Sequence, residues 1–140
     1  MFFARLMAKF ALIIHLENRT REDNDAMNSQ EFSQEWQEAW NSHDLERILR
    51  HYRNDIVFRS RKARDLMGSG EIHGKDALRQ YWAQALIRQP DLEFQIEEVF
   101  EGHDAIVICY INHKGVRAAE TLYFDEAGQV FLASACHLDR

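Results

Sequence analysis

Val116-Arg117-Ala118-Ala119-Glu120-Thr121-Leu122-Tyr123-Phe124-Asp125 reads as a strand with a carboxylate on its apolar side. Every second residue of a strand points the same way, so Val116, Ala118, Glu120, Leu122 and Phe124 share one face. Four of them are apolar and the fifth is a glutamate. Removing an unpaired carboxylate from water is so costly that it must find a partner, find water or take up a proton. Glu120 therefore marks a pocket behind the strand.

The neighbouring segments carry the same period. Ala105 to Asn112 is a strand apolar on both faces, and Gln129 to Leu138 is a further strand. Leu92, Phe94 and Ile96 alternate with Glu93, Gln95 and Glu97, and a slip of phase at Glu98-Val99 predicts a β-bulge. Gly102-His103-Asp104, His113-Lys114-Gly115 and Asp125-Glu126-Ala127-Gly128 supply the turns.

Upstream the period is helical. Asn28-Ser29-Gln30-Glu31 matches a capping box and predicts a helix start at Asn28. Phe32, Trp36, Ala39 and Trp40 line one face of that helix. Asn41-Ser42-His43-Asp44 breaks it, and Asp44 caps a second short helix carrying Leu45, Ile48, Leu49 and Tyr52. Asp55 to Ser60 reads as a first strand, and Arg61 to Gly74 as a loop. A third helix runs from about Lys75 to Arg88, with Leu78, Tyr81, Trp82, Ala85 and Leu86 as its stripe, and Pro90 ends it. Helices first and a strand meander last give an α+β class: helices on one face of a curved, mainly antiparallel sheet.

The 140 residues suit one domain, read as 27–140 behind an N-terminal extension, 1–26. Phe3, Leu6, Met7, Phe10, Ile13 and Ile14 follow helical spacing. The extension reads as an amphipathic helix packed on the domain or a partner, or as a segment upstream of a start at Met27. A formal net charge of −6 argues against nucleic acid as a partner. No apolar run is long enough to suggest a membrane span. The N-terminal block lacks a small-residue cleavage pattern and is interrupted by His15, so no secretory leader is read and a cytoplasmic protein is expected. Cys109 and Cys136 lack C-x-x-C spacing and read as reduced core thiols. Seven histidines occur, none at H-x-H or H-x-x-x-H spacing, so no metal is expected. Gly68-Ser69-Gly70 lacks the lysine of a phosphate loop, and no cofactor is expected.

Two hairpin registers are open. A three-residue loop His113-Lys114-Gly115, with Gly115 left-handed, sets Ile108 opposite Glu120 and puts Tyr110 and Asn112 on the same side. A two-residue loop sets Cys109 opposite Glu120 instead. Glycine third in the loop favours the first. On the last strand Ala133, Ala135 and His137 alternate with Leu132, Ser134 and Cys136, and small residues on either side leave room for a cavity. His137 is either the titratable partner of Glu120 or a donor to a backbone carbonyl. Arg59-Ser60-Arg61-Lys62-Ala63-Arg64 is either a solvated loop or an anion-attracting cavity mouth.

WQEAWNSHDLERIL, GKDALRQYWAQAL and AAETLYFDEAGQV resemble the SnoaL-like branch of the nuclear-transport-factor-2-like superfamily, over about Asn28 to His137. The resemblance implies a cystatin-like α+β barrel, in which a cone-shaped sheet wraps around the N-terminal helices and encloses a cavity. It also implies homodimers formed through the outer sheet face. Family members include ketosteroid isomerases, polyketide cyclases, dehydratases, epoxide hydrolases and binding or assembly domains, so fold does not give function. By that resemblance Glu120 stands where steroid isomerases carry the protonated acid of their oxyanion hole. Trp36 stands at their oxyanion tyrosine, Ser60 at their general base and His137 at an apolar pocket position. With two of three catalytic positions changed, steroid isomerisation is not expected.

The first reading is a module that binds a small apolar or amphipathic molecule, with Trp36, Phe58, Ser60, Trp82, Tyr110, Asn112 and Leu122 around it. The second is a cofactor-independent isomerase, cyclase or dehydratase using Glu120 and His137 as acid and base, with Tyr110 and Trp36 as oxyanion donors. The third is a non-catalytic dimeric assembly domain that docks a partner on residues 1–26.

Overall fold

A computed structural model describes residues 2–139, and the side chains of residues 4–14 and 29–139. Helix α1 (Phe2–Ser42) is followed by α2 (Leu45–Leu49), β1 (Tyr52–Ser60), α3 (Arg61–Met67), β2 (Glu71–His73) and α4 (Lys75–Arg88). A meander of β3 (Phe94–Gly102), β4 (Ala105–Asn112), β5 (Arg117–Phe124) and β6 (Val130–His137) completes the chain. The strands form one sheet in the order β2-β1-β6-β5-β4-β3. All neighbours are antiparallel except β1 and β6, which run parallel. The expected α+β class and curved, mainly antiparallel sheet hold.

Several local expectations change. No helix starts at Asn28, because α1 runs straight through it; residues 17–28 contain no proline or glycine to interrupt the helix. The side chain of Asn28 lies outside the described residues. The expected loop 61–74 contains a helix and a strand. Ser60 caps α3 by accepting from the Lys62 amide, and left-handed Gly68 (φ 81°) ends it. Tyr52 belongs to β1 rather than to the preceding helix. Cys109 is half-buried and Cys136 exposed, both free, so Cys136 is not a core thiol.

Other signals hold. Asp44 Oδ1 accepts from the Arg47 amide at 3.1 Å and caps α2. The register of β3 on β4 shifts between Ile96 and Glu98, beside the predicted bulge. Along the N-terminal part of α1, Leu6, Met7, Phe10, Leu12, Ile13 and Ile14 are exposed rather than packed on the domain.

The core sits between the sheet, the C-terminal part of α1 and α4. It is largely aromatic: Trp36 stacks on Phe94 with ring centroids 5.6 Å apart, and Trp40 meets Trp82 edge-on at 4.9 Å. Phe94 contacts Tyr110 at 4.5 Å. Large rings bury much area with few rotatable bonds, so this cluster fixes α1 against the sheet.

Polar side chains of α1 cover the open edge of β3. Asn41 Nδ2 donates to the Phe94 carbonyl at 2.9 Å, and Asn41 Oδ1 accepts from the Phe94 amide at 2.8 Å. Gln37 Oε1 accepts from the Ile96 amide at 2.7 Å. An unpaired edge strand is a template for unwanted pairing, and here the helix occupies it.

Candidate functional site

The β4–β5 hairpin decides which residues meet Glu120. Gly115 is left-handed (φ 78°), and the Asn112 amide donates to the Val116 carbonyl at 2.9 Å. The register is therefore the three-residue one: Ile108 lies opposite Glu120, and Tyr110 opposite Ala118.

Three rows of inward side chains cross the sheet. The first is Tyr110, Ala118, His137, the second Ile108, Glu120, Ala135, Ser60, and the third Ile106, Leu122, Ala133, Phe58. Alanines stand next to the large side chains in every row. They leave a cavity of about 80 Å³, lined by Glu120, Tyr110, His137, Phe58, Trp82 and Ser60 among others. By the scale of a single buried water, that is room for several waters or a small organic group.

Glu120 is only 3% exposed. The Tyr110 hydroxyl donates to its Oε2 at 3.4 Å, a long contact. Burial raises the carboxyl to a pKa of about 7, and the Tyr110 contact only partly opposes this. Burial likewise pushes the Tyr110 hydroxyl well above its ordinary value, with the nearby Glu120 charge adding to it. His137 moves the other way. Burial first, and the Lys62 charge second, lower it to about 4, so the imidazole is neutral at pH 7. It shares the cavity with Glu120, but no hydrogen bond joins the two.

The other expected residues divide. Phe58, Ser60 and Trp82 line the cavity, and Ser60 also caps α3. Asn112 lines it too, but its Oδ1 holds the hairpin by accepting from the Lys114 and Val116 amides, each at 2.9 Å. Trp36 and Leu122 do not line it. Leu122 is fully buried between Ile106 and Ala133. The Trp36 indole donates to the Tyr52 hydroxyl at 3.3 Å, which removes it as an oxyanion donor.

Trp40, one turn further along α1, takes the place expected of Trp36. It lines the cavity, is 5% exposed, and its buried Nε1 has no hydrogen-bond partner. An unpaired buried donor loses its hydration without compensation, which a ligand oxygen would restore. The two tryptophans are four residues apart on one helical stripe, so spacing alone does not separate them. Tyr81, Gln89 and Lys62 also line the cavity. Tyr81 adjoins Trp82 on α4, and Lys62 lies in the cation run, so both had a sequence signal. Gln89 had only its place before Pro90.

The site sits in a scaffold with recognised relatives. A family model described as a SnoaL-like domain matches residues 33–131. The chain belongs to the SnoaL-like family. This SnoaL-like chain is similar in structure to a SnoaL-like protein of unknown function from Burkholderia thailandensis, with 36% identity and a TM-score of 0.77 over 81% of this chain and 97% of that one. It also resembles a proposed polyketide cyclase from Sinorhizobium meliloti (12% identity, TM-score 0.61, 72% of this chain and 89% of that one). TerC, co-crystallised with polyporic acid, aligns at 13% identity and a TM-score of 0.66 over 79% of this chain and 91% of that one. These last two likenesses concern the SnoaL-like fold alone. No curated protein matches the chain.

Two larger hollows open on the surface. One of about 570 Å³ lies among Glu31, Asp104, Asp125 and Glu126, and one of about 390 Å³ beside Arg59 and Arg64. The small cavity nevertheless holds the buried carboxyl, which marks it as the candidate site.

Proposed function

We propose that the protein binds a small, largely apolar molecule bearing a carbonyl or enol oxygen in the Glu120 cavity. The observation that carries this reading is Glu120 itself, a carboxyl buried in an unfilled hollow with one long contact to Tyr110. When protonated it donates to a ligand oxygen, and when ionised it accepts. Trp40 Nε1 is a further donor on the wall. TerC, of the same fold, was crystallised with an organic molecule, polyporic acid, in keeping with a small-molecule role.

The test is a titration of the full chain with 3-phenylpropionamide, followed by amide NMR. Shifts centred on Tyr110, Glu120 and Ala135 are expected. Shifts confined to the outer face of the sheet, or none, would remove the reading.

One observation favours a catalytic version, as an isomerase, cyclase or dehydratase. A carboxyl near pKa 7 gives up and takes back a proton readily at neutral pH. In this version ionised Glu120 takes the proton from the carbon next to a carbonyl, the C–H bond breaks, and an enolate forms. Its oxygen accepts from Trp40 or Tyr110, and Glu120 returns the proton to carbon. His137, neutral at pH 7, is not the acid in this step. Deuterium uptake from solvent into cyclohexanone, abolished in Glu120→Gln, is the expected result; equal uptake in the variant would exclude it.

A cytoplasmic homodimer through the outer sheet face belongs to the same reading. Exposed Phe100 and Tyr123 on that face support the dimer, and sedimentation of the full chain and a Phe100→Glu variant tests it.

A further inference from the structure

The N-terminal part of α1 carries an apolar stripe that no described residue covers. Leu6, Met7, Phe10, Ile13 and Ile14 recur at helical spacing, and each is half or more exposed. Lys9 and Arg5 stand four and eight residues before Ile13, on the border of the stripe. Residues 1–16 hold no acidic side chain, although the whole chain has a net charge of −6. This arm lies outside residues 33–131, the SnoaL-like part. No helix among the described residues is long and apolar enough to cross a membrane. An exposed apolar stripe of this kind marks an interaction surface.

A hollow of the opposite charge opens further along the same helix, with a volume of about 570 Å³. Its floor is apolar: Phe32, Ile106 and Phe124, with Phe32 meeting Phe124 edge-on at 4.9 Å. Its rim is acidic: Glu31, Asp104, Asp125 and Glu126. Asp125 meets Arg53 at 3.5 Å, and Asp104 meets its neighbour His103 at 3.4 Å. Among the described residues no cation pairs with Glu31 or Glu126. The arm offers what this hollow lacks, apolar bulk bordered by positive charge.

The two cannot meet within one chain. At about 1.5 Å per residue, the continuous helix holds Phe10 about 33 Å from Phe32. In a pair of chains related by a two-fold axis, with their α1 helices antiparallel, each arm reaches the hollow of the other. We infer that the arm of one copy docks on the acid-rimmed hollow of a second copy. The apolar stripe then lies on Phe32, Ile106 and Phe124, and Arg5 and Lys9 turn toward Glu31 and Glu126. The contact is made twice in each dimer. It uses neither Phe100 nor Tyr123, so it is separate from association through the outer sheet face.

The experiment is sedimentation of the full chain at low salt, where screening is weakest, in a Phe100→Glu background that sets aside the sheet-face dimer. Three variants of this parent are compared: Arg5→Glu/Lys9→Glu, Glu31→Lys/Glu126→Lys, and all four changes together. All four side chains are exposed, so the fold tolerates each change. The parent is expected to associate. Its affinity should fall about tenfold in each charge-reversed variant and return when the two reversals are combined. A parent that stays monomeric overturns the inference and leaves the sheet-face reading to its own test. Arm reversal without effect overturns it too, as does a combined variant that associates as weakly as either alone. Vesicles rich in phosphatidylserine provide the control. Pelleting of the chain with them while it stays monomeric in solution assigns the stripe to a lipid surface and overturns the docking.

Discussion

The Tyr110 hydroxyl stands 3.4 Å from Oε2 of Glu120, and among the described residues it is the only hydrogen-bond partner of a carboxyl that is 3% exposed. One long neutral donor does not compensate for loss of water. The carboxyl therefore holds its proton to about pH 7, and the fold carries a group that prefers to be uncharged.

Stability should depend on pH through this group. The folded pKa of about 7 lies above the ordinary 4.5, so the folded state binds the proton more tightly than the unfolded chain. The resulting stabilisation is fully present below pH 4.5 and is lost as pH rises through about 7. The loss is on the order of 3 kcal/mol. His137 acts in the opposite sense: its folded value of about 4 lies below 6.5, so its contribution is lost as pH falls. Comparing Glu120→Gln with wild type isolates the first effect. Urea melts should show the variant gaining on wild type between pH 5 and pH 8; a constant difference would refute the shift.

The two tryptophans on α1 should respond differently. Trp36→Phe leaves the fully buried Tyr52 hydroxyl without its indole partner and should cost about 1–3 kcal/mol beyond the change in packing. Trp40→Phe removes an N–H that has no partner, so its polar cost should be near zero. Chemical denaturation of the two variants decides this, and a Trp40→Phe loss equal to that of Trp36→Phe would contradict it. Trp40→Phe should also weaken 3-phenylpropionamide.

Ala135 stands between Glu120 and Ser60 in the inward row and lines the cavity, where its small side chain leaves room. Ala135→Leu should fill the cavity and abolish amide binding. Overpacking should destabilise the fold by about 1–3 kcal/mol, still leaving it folded. Calorimetric titration together with a thermal melt checks both halves.

Asn41 satisfies both backbone groups of Phe94 on the edge strand. Asn41→Ala should cost about 1–2 kcal/mol and speed hydrogen exchange at the Phe94 amide. Exchange at the Ile96 amide, held by Gln37, should change less.

Some of this was readable from residues alone. Parity along 116–125 put Glu120 inward, and Gly115 third in its loop chose between two registers, because only a glycine adopts φ 78° there without strain. The Asp44 cap and the bulge near Glu98 were local signals too. By contrast, α3 and β2 are not legible in the residues alone. A strand of three residues has no period to detect, and it exists because β1 pairs with it.

Local alternation and turn chemistry were thus sufficient to establish the α+β class and an inward acid, since both depend on side-chain direction within a few residues. The identity of the indole in the cavity was not so determined. Trp36 and Trp40 look alike on a helical stripe, and the docking of α1 along β3 turns one toward Tyr52 and the other toward the hollow. The arginine cleft beside the cavity is equally non-local, because it requires β1 to lie parallel to a strand some seventy-five residues later in the chain.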